Sequence, residues 1–152
     1  MATTALSMKR IVVGVDGSDS GRSALEFAAR LAKAMRSEIV AVYAFDTPIA
    51  LQDPYAIPFF LDDKWRAGLK SEFENKWLRP LKTAGVKYRA LLVDGRPASV
   101  ILDIADQEKA DLIVVGRRGR GEVAELLLGS LSHEIALHSK RPVLLAPLKK
   151  AR

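Results

Sequence analysis

The chain alternates between short apolar runs and longer stretches in which apolar residues recur every three or four positions. The short runs lack the polar alternation of a half-exposed strand, so they predict strands covered on both faces. The longer stretches predict helices. The strands are predicted at residues 9–16, 38–45, 86–93, 111–115 and 143–146, and the helices at 21–35, 62–83, from 97 onward and at 130–139. Strands that alternate with helices predict an α/β fold: a doubly wound, five-stranded parallel sheet with helices on both faces.

Several side chains within these helices are expected to be buried. Trp65 and Trp77 are interpreted as core residues, and Pro80 is expected to kink or end the second helix. The apolar face of the first helix is predicted to consist of Ala24, Phe27, Ala28, Leu31 and Ala32. The segment 46–63 contains three prolines and is interpreted as a variable surface loop, with a lid or partner-binding flap as the alternative.

The expected site lies where the winding of such a sheet reverses, because ligands bind there beyond the carboxyl ends of the strands. With an assumed strand order of 3-2-1-4-5, the reversal falls between the first and fourth strands. Those strands end near Asp16 and Gly116. We therefore expect the acidic turn and the glycine-rich loop to share one crevice.

Glycines and a helix start dominate the sequence after the fourth strand. Glycines let backbone amides approach a ligand closely, and a helix N-terminus adds free N–H groups and a positive dipole end. Arg117, Arg118 and Arg120 add cations, and the hydroxyls of Ser130 and Ser132 add donors. The glycines are Gly116, Gly119, Gly121 and Gly129. The pattern favours a phosphate site, although a glycine-rich turn without a ligand remains the alternative.

Asp16 has two interpretations at this stage. It either holds a magnesium ion beside a polyphosphate or stabilises the Asp16-Gly17 turn.

Neither a Walker loop nor the dinucleotide glycine fingerprint is present. His133 and His138 are five residues apart, so they project from different sides of the predicted helix and do not form one metal-binding face. No nucleophile–base pair or paired carboxylates are evident. The sequence therefore indicates a binding protein, with no catalytic residue assigned.

Composition restricts the other possibilities. The 152 residues are 49% apolar and 28% charged, which is typical of one globular domain. The absence of cysteine excludes disulfides and thiolate chemistry. No apolar run predicts a membrane span, residues 1–8 are interpreted as a disordered lead-in, and a cytoplasmic location is expected. The net charge of +6 is spread along the chain and into a basic tail at 149–152, so nucleic acid is not the expected partner.

Three segments together resemble one known family. Gly116 and Gly119, followed after nine residues by Gly129-Ser130, fit the motif of the ATP-binding branch of the universal stress proteins. RIVVGVDGSDSGRSALEFAARLA, DGRPASVILDIADQEKADLIVVG and GSLSHEIALHSKRPVLLAP resemble further parts of that family. The resemblance implies a single domain at residues 9–148 with the Rossmann-like fold of the adenine nucleotide alpha hydrolases.

The resemblance also implies site residues, a cofactor and partners. The ligand would be an adenine nucleotide, ATP with Mg2+ or Mn2+, and the metal would lie near Asp16. The chain would form a homodimer through the edge strand at residues 143–148, and its protein partner is unknown. The implied nucleotide-binding residues are Asp16, Ala44, Gly95, Gly116, Arg117, Gly119, Gly129, Ser130, Leu131 and Ser132.

These features support three functional hypotheses. The first is an ATP-binding regulatory protein of the stress response. The second is a slow ATPase, or a protein that transfers phosphate to its own Ser130 or Ser132. The third is a scaffold or nucleic-acid-associated stress protein that binds no nucleotide.

Overall fold

The computed structural model describes residues 5–46, 63–118 and 128–148. Several sequence predictions fall outside these residues: most of the 46–63 loop, Gly119, Arg120, Gly121, the tail at 149–152 and the first residues of the lead-in. The described elements are β1 (Arg10–Gly14), α1 (Asp19–Met35), β2 (Glu38–Phe45), α2 (Asp63–Glu72), a π-helical turn (Phe73–Trp77), α3 (Arg79–Ala84), β3 (Tyr88–Asp94), α4 (Pro97–Gln107), β4 (Leu112–Gly116), α5 (Ser130–His138) and β5 (Val143–Ala146).

The five strands form one parallel sheet in the order β3-β2-β1-β4-β5, as assumed from the sequence. β1 lies at the centre, with Val13 paired to Val114 of β4 and Gly14 paired to Val42 of β2. The predicted α/β doubly wound fold is therefore confirmed, and the winding reverses between β1 and β4.

Alternate residues of β1 serve two separate cores, because successive side chains of a strand point to opposite faces of the sheet. Ile11 and Val13 are fully buried against α1 and the segment 73–81. Val12 is fully buried on the other face against α4 and α5. This double burial explains why the predicted strands read as unbroken apolar runs.

The second helix, predicted over residues 62–83 with a kink or end at Pro80, is also interrupted earlier in the chain. A π-helical turn interrupts it at Phe73–Trp77 and places both terminal aromatic rings in the core, where Phe73 is 1% exposed and Trp77 is 7% exposed. The helix also breaks at Leu78, just before Pro80, which agrees with the expectation that Pro80 kinks or ends it. Pro80 lies in the first turn of α3, where a missing N–H leaves no helical hydrogen bond unmade.

The prediction of Trp65 as a core residue is wrong. Its relative exposure is 41%, and its ring packs edge-on against Phe45 with centroids 5.8 Å apart. In α1, Leu25 is almost fully buried although the predicted apolar face omitted it, whereas Phe27 and Leu31 are only partly buried. The buried stripe is broader than the helical spacing indicated because α1 contacts both the sheet and α3.

A group of ion pairs, which we call the amino-end cluster, lies at the amino ends of the strands and comprises Arg10, Glu38, Arg89 and Glu108. The Arg89 guanidinium donates to Glu38 at 2.9 Å and to Glu108 at 2.6 Å. Arg10 pairs with Glu108 at 3.0 Å. Hydrogen bonds from Arg89 lower the pKa of both glutamates, and both carboxylates raise the pKa of Arg89.

None of the helices within the described ranges combines the length and the apolar character that a membrane crossing would need.

Candidate functional site

Asp16 follows the end of β1 and shapes the turn into α1. Its Oδ1 accepts hydrogen bonds from the Ser18 amide at 2.9 Å and the Ser18 hydroxyl at 2.5 Å. The Ser18 Oγ in turn accepts from the Gly21 amide at 3.0 Å and so caps α1. The turn-stabilising interpretation of Asp16 is therefore present in the structure. Its Oδ2 makes no hydrogen bond to the described parts of the chain, so one carboxylate oxygen remains available.

Gly116 ends β4 directly against the first turn of α1. A Cβ on Gly116 would lie 2.5 Å from the Ser20 Oγ and 2.7 Å from the Ser20 carbonyl carbon. This approach requires a residue without a side chain, because the neighbouring atoms include backbone that cannot move aside. Gly116 therefore brings the end of β4 and the α1 N-terminus together, so Asp16 and Gly116 lie on the same edge of the sheet.

Arg117 continues from Gly116 and joins three elements through its backbone. Its amide donates to the Ala146 carbonyl of β5 at 2.8 Å. Its carbonyl accepts from the Gly129 amide at 2.8 Å and from the Ser132 hydroxyl at 2.8 Å. The start of α5 is thus fixed to the end of β4 although the connecting residues 119–127 lie outside the described ranges.

The first turn of α5 presents backbone amides at the carboxyl edge of the sheet. Gly129 is the N-cap, and the first helical hydrogen bond runs from the His133 amide to the Gly129 carbonyl at 2.9 Å. The amides of Ser130, Leu131 and Ser132 precede that bond, so no carbonyl within the helix can accept from them. Such amides, together with the helix dipole, form the usual anion-binding end of a helix.

The two serines of this turn differ in their surroundings. Ser132 is 2% exposed, and its hydroxyl shares its proton between the carbonyls of Arg117 and Gly129, the latter at 3.0 Å. Ser130 is exposed at the first helical position. The Ser132 hydroxyl therefore stabilises the turn. Between the two serines, Leu131 packs against the core formed with α4.

Arg117, whose carbonyl meets this turn, and its neighbour Arg118 are both partly buried. The Nε atoms of Arg117 and Arg118 are buried, and neither has a hydrogen-bond partner within the described residues. Arg10 also has such an Nε, but its terminal nitrogens form ion pairs with Glu38 and Glu108. A buried N–H without an acceptor costs free energy, so an anion at this position would satisfy donors that the protein leaves open.

Ala44 and Gly95 lie further along the same edge. The Phe45 carbonyl accepts from the Gly95 amide at 2.8 Å on the β3 side. Alternate residues of a strand direct their backbone groups to opposite neighbours, so those of Ala44 point toward the β1 side, beyond Gly14. Gly95 has a φ of 147°, and a Cβ there would lie 2.8 Å from Val100, so its conformation serves the turn into α4.

The donor set around Asp16 is too small to hold a metal ion by itself. Within the described residues, no group of three or more His, Asp or Glu side chains is placed to bind a metal. Asp16 offers one open carboxylate oxygen, and Mg2+ commonly binds through one or two carboxylates together with phosphate oxygens and water. The residues therefore fit a metal that arrives with a phosphate ligand.

Sequence reasoning missed the roles of Ser20 and Gly21, whereas the segment 16–20 that contains Ser18 is rich in helix-capping residues in the sequence itself. Ser18 caps α1, Ser20 contacts both the Ala146 carbonyl at 3.5 Å and the Arg118 amide at 3.3 Å, and Gly21 leaves room for the Asp16 carboxylate. The roles of Ser20 and Gly21 depend on contacts between distant parts of the chain and have no local signal.

The fold and this edge geometry can now be compared with known proteins. A family model described as the universal stress protein family matches residues 8–147. The chain belongs to the universal stress protein family. A curated universal stress protein of Thermus aquaticus is 37% identical over 137 residues, which cover 90% of this chain and 97% of that protein.

Solved structures of universal stress proteins and their relatives share the fold of this one. The structure of MJ0577 superimposes with a TM-score of 0.78 at 24% identity and covers 96% of this chain and 100% of that one. A universal stress protein in complex with cAMP gives a TM-score of 0.71 at 28% identity and covers 95% of this chain and 100% of that chain. The predicted family is confirmed, and the five-stranded sheet has the architecture of its relatives.

Proposed function

We propose that this universal stress protein binds an adenine nucleotide, ATP in the first instance, at the carboxyl edge between β1 and β4. The observation that carries the proposal is the contact between Arg117 and Gly129. At this contact, the amides of the first turn of α5 meet the backbone of Arg117, and Arg117 and Arg118 each have an open Nε donor. A triphosphate offers many acceptor oxygens and satisfies both kinds of donor.

The remaining edge residues suit the other parts of the nucleotide. The backbone groups of Ala44 point toward the β1 side of the edge, where they can pair with a base. The second oxygen of Asp16 can take a ribose hydroxyl or a Mg2+ or Mn2+ ion held by the phosphates. A universal stress protein that is 28% identical binds cAMP, which supports an adenine nucleotide as the ligand class here. Gly119 belongs to the proposed loop but lies outside the described residues.

The site supports binding more than chemistry, so we propose a regulatory role in which occupancy reports the nucleotide pool. The Ser132 hydroxyl already donates to carbonyl oxygens, so it is a poor acceptor for a phosphoryl group. ATP should therefore be recovered intact after incubation with the protein, as measured by chromatography of the extracted nucleotide. Turnover above that of a Gly129→Val variant would contradict the binding-only role.

Gly129→Val is the sharpest test of the site. Gly129 has a φ of −70°, which any residue can adopt, so the substitution adds bulk at the N-cap of α5 without backbone strain. We expect ATP affinity, measured by calorimetry, to fall by more than about ten-fold, which corresponds to about 1.4 kcal/mol. ADP, AMP and cAMP measured alongside ATP identify the preferred nucleotide.

The matched control is Gly68→Val in α2, where an added Cβ has nothing within 4 Å. That variant should bind ATP as the parent protein does. Equal ATP affinity in the two variants and the parent would refute the assigned site, and absence of binding by the parent protein would refute the nucleotide proposal itself.

We extend the proposal to a homodimer that pairs through the segment 143–148. Within the described residues β5 pairs with β4 alone, which leaves its outer edge open, and Leu148 beyond it is 52% exposed. An open apolar edge favours pairing with another strand. Light scattering should report a mass twice that of the chain, and a monomer at all concentrations would contradict the dimer.

A further inference from the structure

A groove separate from the carboxyl-edge site runs between α1 and the residues of the π-helical turn and α3. Its volume is about 780 Å³, which falls in the range of small-molecule sites. Its lining contains none of the residues predicted to bind nucleotide, although Val15 and Gly17 at one end flank Asp16. We call this space the α1–α3 groove.

The floor of the α1–α3 groove is apolar. Leu25 and Ala29 from α1 and Trp77 from the π-helical turn line it, and they are 1%, 3% and 7% exposed. The indole of Trp77 is held in place by an edge-on contact with Tyr43, with ring centroids 4.9 Å apart. A rigid apolar floor suits a hydrocarbon chain better than a base, because a base needs hydrogen-bonding groups along its edge.

The rim of the groove is basic. Arg22, Arg30, Lys76 and Arg79 line it, against the acidic residues Asp19 and Glu26. Glu26 pairs with Arg22 at 3.3 Å, and Lys76 pairs with Glu72 outside the lining at 3.3 Å. Arg30 on α1 and Arg79 on α3 form no ion pair with any described residue, and both are exposed.

These two arginines place positive charge on both walls without a counter-ion from the described chain. The Arg30 guanidinium lies over the Phe27 ring at 5.6 Å, and Arg79 precedes Pro80 in the first turn of α3. An anionic head group would supply a counter-ion for these two cations, and an attached apolar chain would lie along the groove against Trp77.

We propose that the α1–α3 groove binds an amphipathic anion, a long-chain carboxylate whose head group meets Arg30 and Arg79 and whose hydrocarbon chain covers Trp77. This site would give the protein a second input beside the nucleotide. The inference depends on the described groove alone and does not require nucleotide binding at the other site.

Fluorescence of Trp77 provides a direct measurement. The chain has two tryptophans, and Trp65 does not line the groove, so Trp65→Phe leaves a protein whose only indole lies in the groove floor. Titration of this variant with octanoate, decanoate and dodecanoate, each below its micelle concentration, should change the emission saturably. Affinity should rise with chain length, by at most about four-fold per methylene. Decanol should bind about five-fold more weakly than decanoate because it lacks the charge.

Charge reversal then tests the head-group contacts. Arg30→Glu and Arg79→Glu in the same background should each weaken decanoate binding by about five-fold. Lys64→Glu is the matched control, because this exposed lysine of α2 changes the net charge equally but does not line the groove. Its affinity for decanoate should equal that of the background protein.

Four results would overturn the proposal. One is no saturable emission change with any chain length, and another is equal weakening by Lys64→Glu. Competition between ATP and decanoate would place the carboxylate in the carboxyl-edge site instead. A ligand-free emission that changes on dilution would show that a second copy of the chain occupies the groove.

Discussion

The two ends of the sheet treat charge in opposite ways. At the amino end, Arg10, Glu38, Arg89 and Glu108 neutralise one another through contacts of 2.6–4.0 Å. At the carboxyl end, Arg117 and Arg118 form no ion pair within the described residues. The charged groups of the amino-end cluster have partners within the fold, whereas the carboxyl end leaves N–H donors that an anion from solution can satisfy. Both ends contain arginine, so the acids that accompany the arginines distinguish a structural cluster from a candidate binding site.

The largest expected effect comes from Gly116→Val, which tests whether close packing assembles the carboxyl end. The added Cβ would overlap the Ser20 backbone, so we expect stability to fall by about 3 kcal/mol, the upper part of the usual range for overpacking. Urea unfolding measures it. Gly68→Val should change stability by only a few tenths of a kcal/mol, because its Cβ meets open space. Similar losses in the two variants would show that Gly116 has no special packing role.

The next effect separates binding from stability at the carboxyl end. Arg117→Ala and Arg118→Ala should each lower ATP affinity by about ten-fold, since hydrogen bonds to charged groups contribute roughly 1.5–3 kcal/mol. Their stability should hardly change, because each removes a buried Nε–H that has no described partner. Calorimetry and urea unfolding on the same samples give both values. A loss of stability without a loss of affinity would reverse the contrast between the two ends.

Arg89→Met should produce the opposite pattern at the amino end. We expect a loss of about 1 kcal/mol at neutral pH, because Arg89 is 44% exposed and solvent screens its pairs. ATP affinity should be unchanged. The pKa of Glu38 and that of Glu108 are lowered in the folded state, so their stabilisation is present above the ordinary glutamate value and is lost as pH falls through the folded values.

That sign predicts how Arg89→Met depends on pH. The difference in stability between the parent protein and the variant should be constant near neutrality and should shrink as the pH drops below about 4.5. Thermal or urea unfolding across this range measures the difference. A gap that widens in acid would mean that the two carboxylates are not stabilised by Arg89.

The smallest effect is expected for Ser132→Ala, which sharpens the assignment within α5. Loss of the hydroxyl bond to the Arg117 carbonyl should cost about 0.5–1 kcal/mol of stability. ATP affinity should fall about two-fold at most, because the Gly129 amide still holds the same carbonyl. Ser130→Ala provides the comparison, since Ser130 is exposed in the same turn. A much larger affinity loss for Ser132→Ala would indicate that its hydroxyl binds phosphate directly.

The sheet was predictable because its strands carry an unambiguous signal. β2 and β5 have the predicted bounds, and β1, β3 and β4 differ by one or two residues at their ends. The winding order was assumed correctly. The π-helical turn in the second helix was not predictable, because it depends on how Phe73 and Trp77 fit the core. Trp65 was misassigned for a related reason, since helical spacing alone does not show where a helix leaves the core.

Part of the candidate site follows from the sequence. Turn chemistry and topology predict Asp16, Gly116 and Gly129 at one edge, and the structure packs Gly116 against the first turn of α1 and bonds Gly129 to Arg117. The function of Gly116 as a packing residue was not predictable, because Ser20 is distant in sequence. The α1–α3 groove also had no sequence signal, since its walls come from helices that the sequence separates.

The strand order has a consequence for how the protein is made. β1, β2 and β3 are neighbours in the sheet and leave the ribosome first, so this half can pair while synthesis continues. The carboxyl end cannot assemble before the last strand is synthesised, because the Arg117 amide and the Ser20 hydroxyl both donate to the Ala146 carbonyl of β5. A chain that stops short of β5 would carry Asp16 but leave the Arg117 loop without its anchor. Ligand binding at this edge would therefore select chains whose translation has run through Ala146.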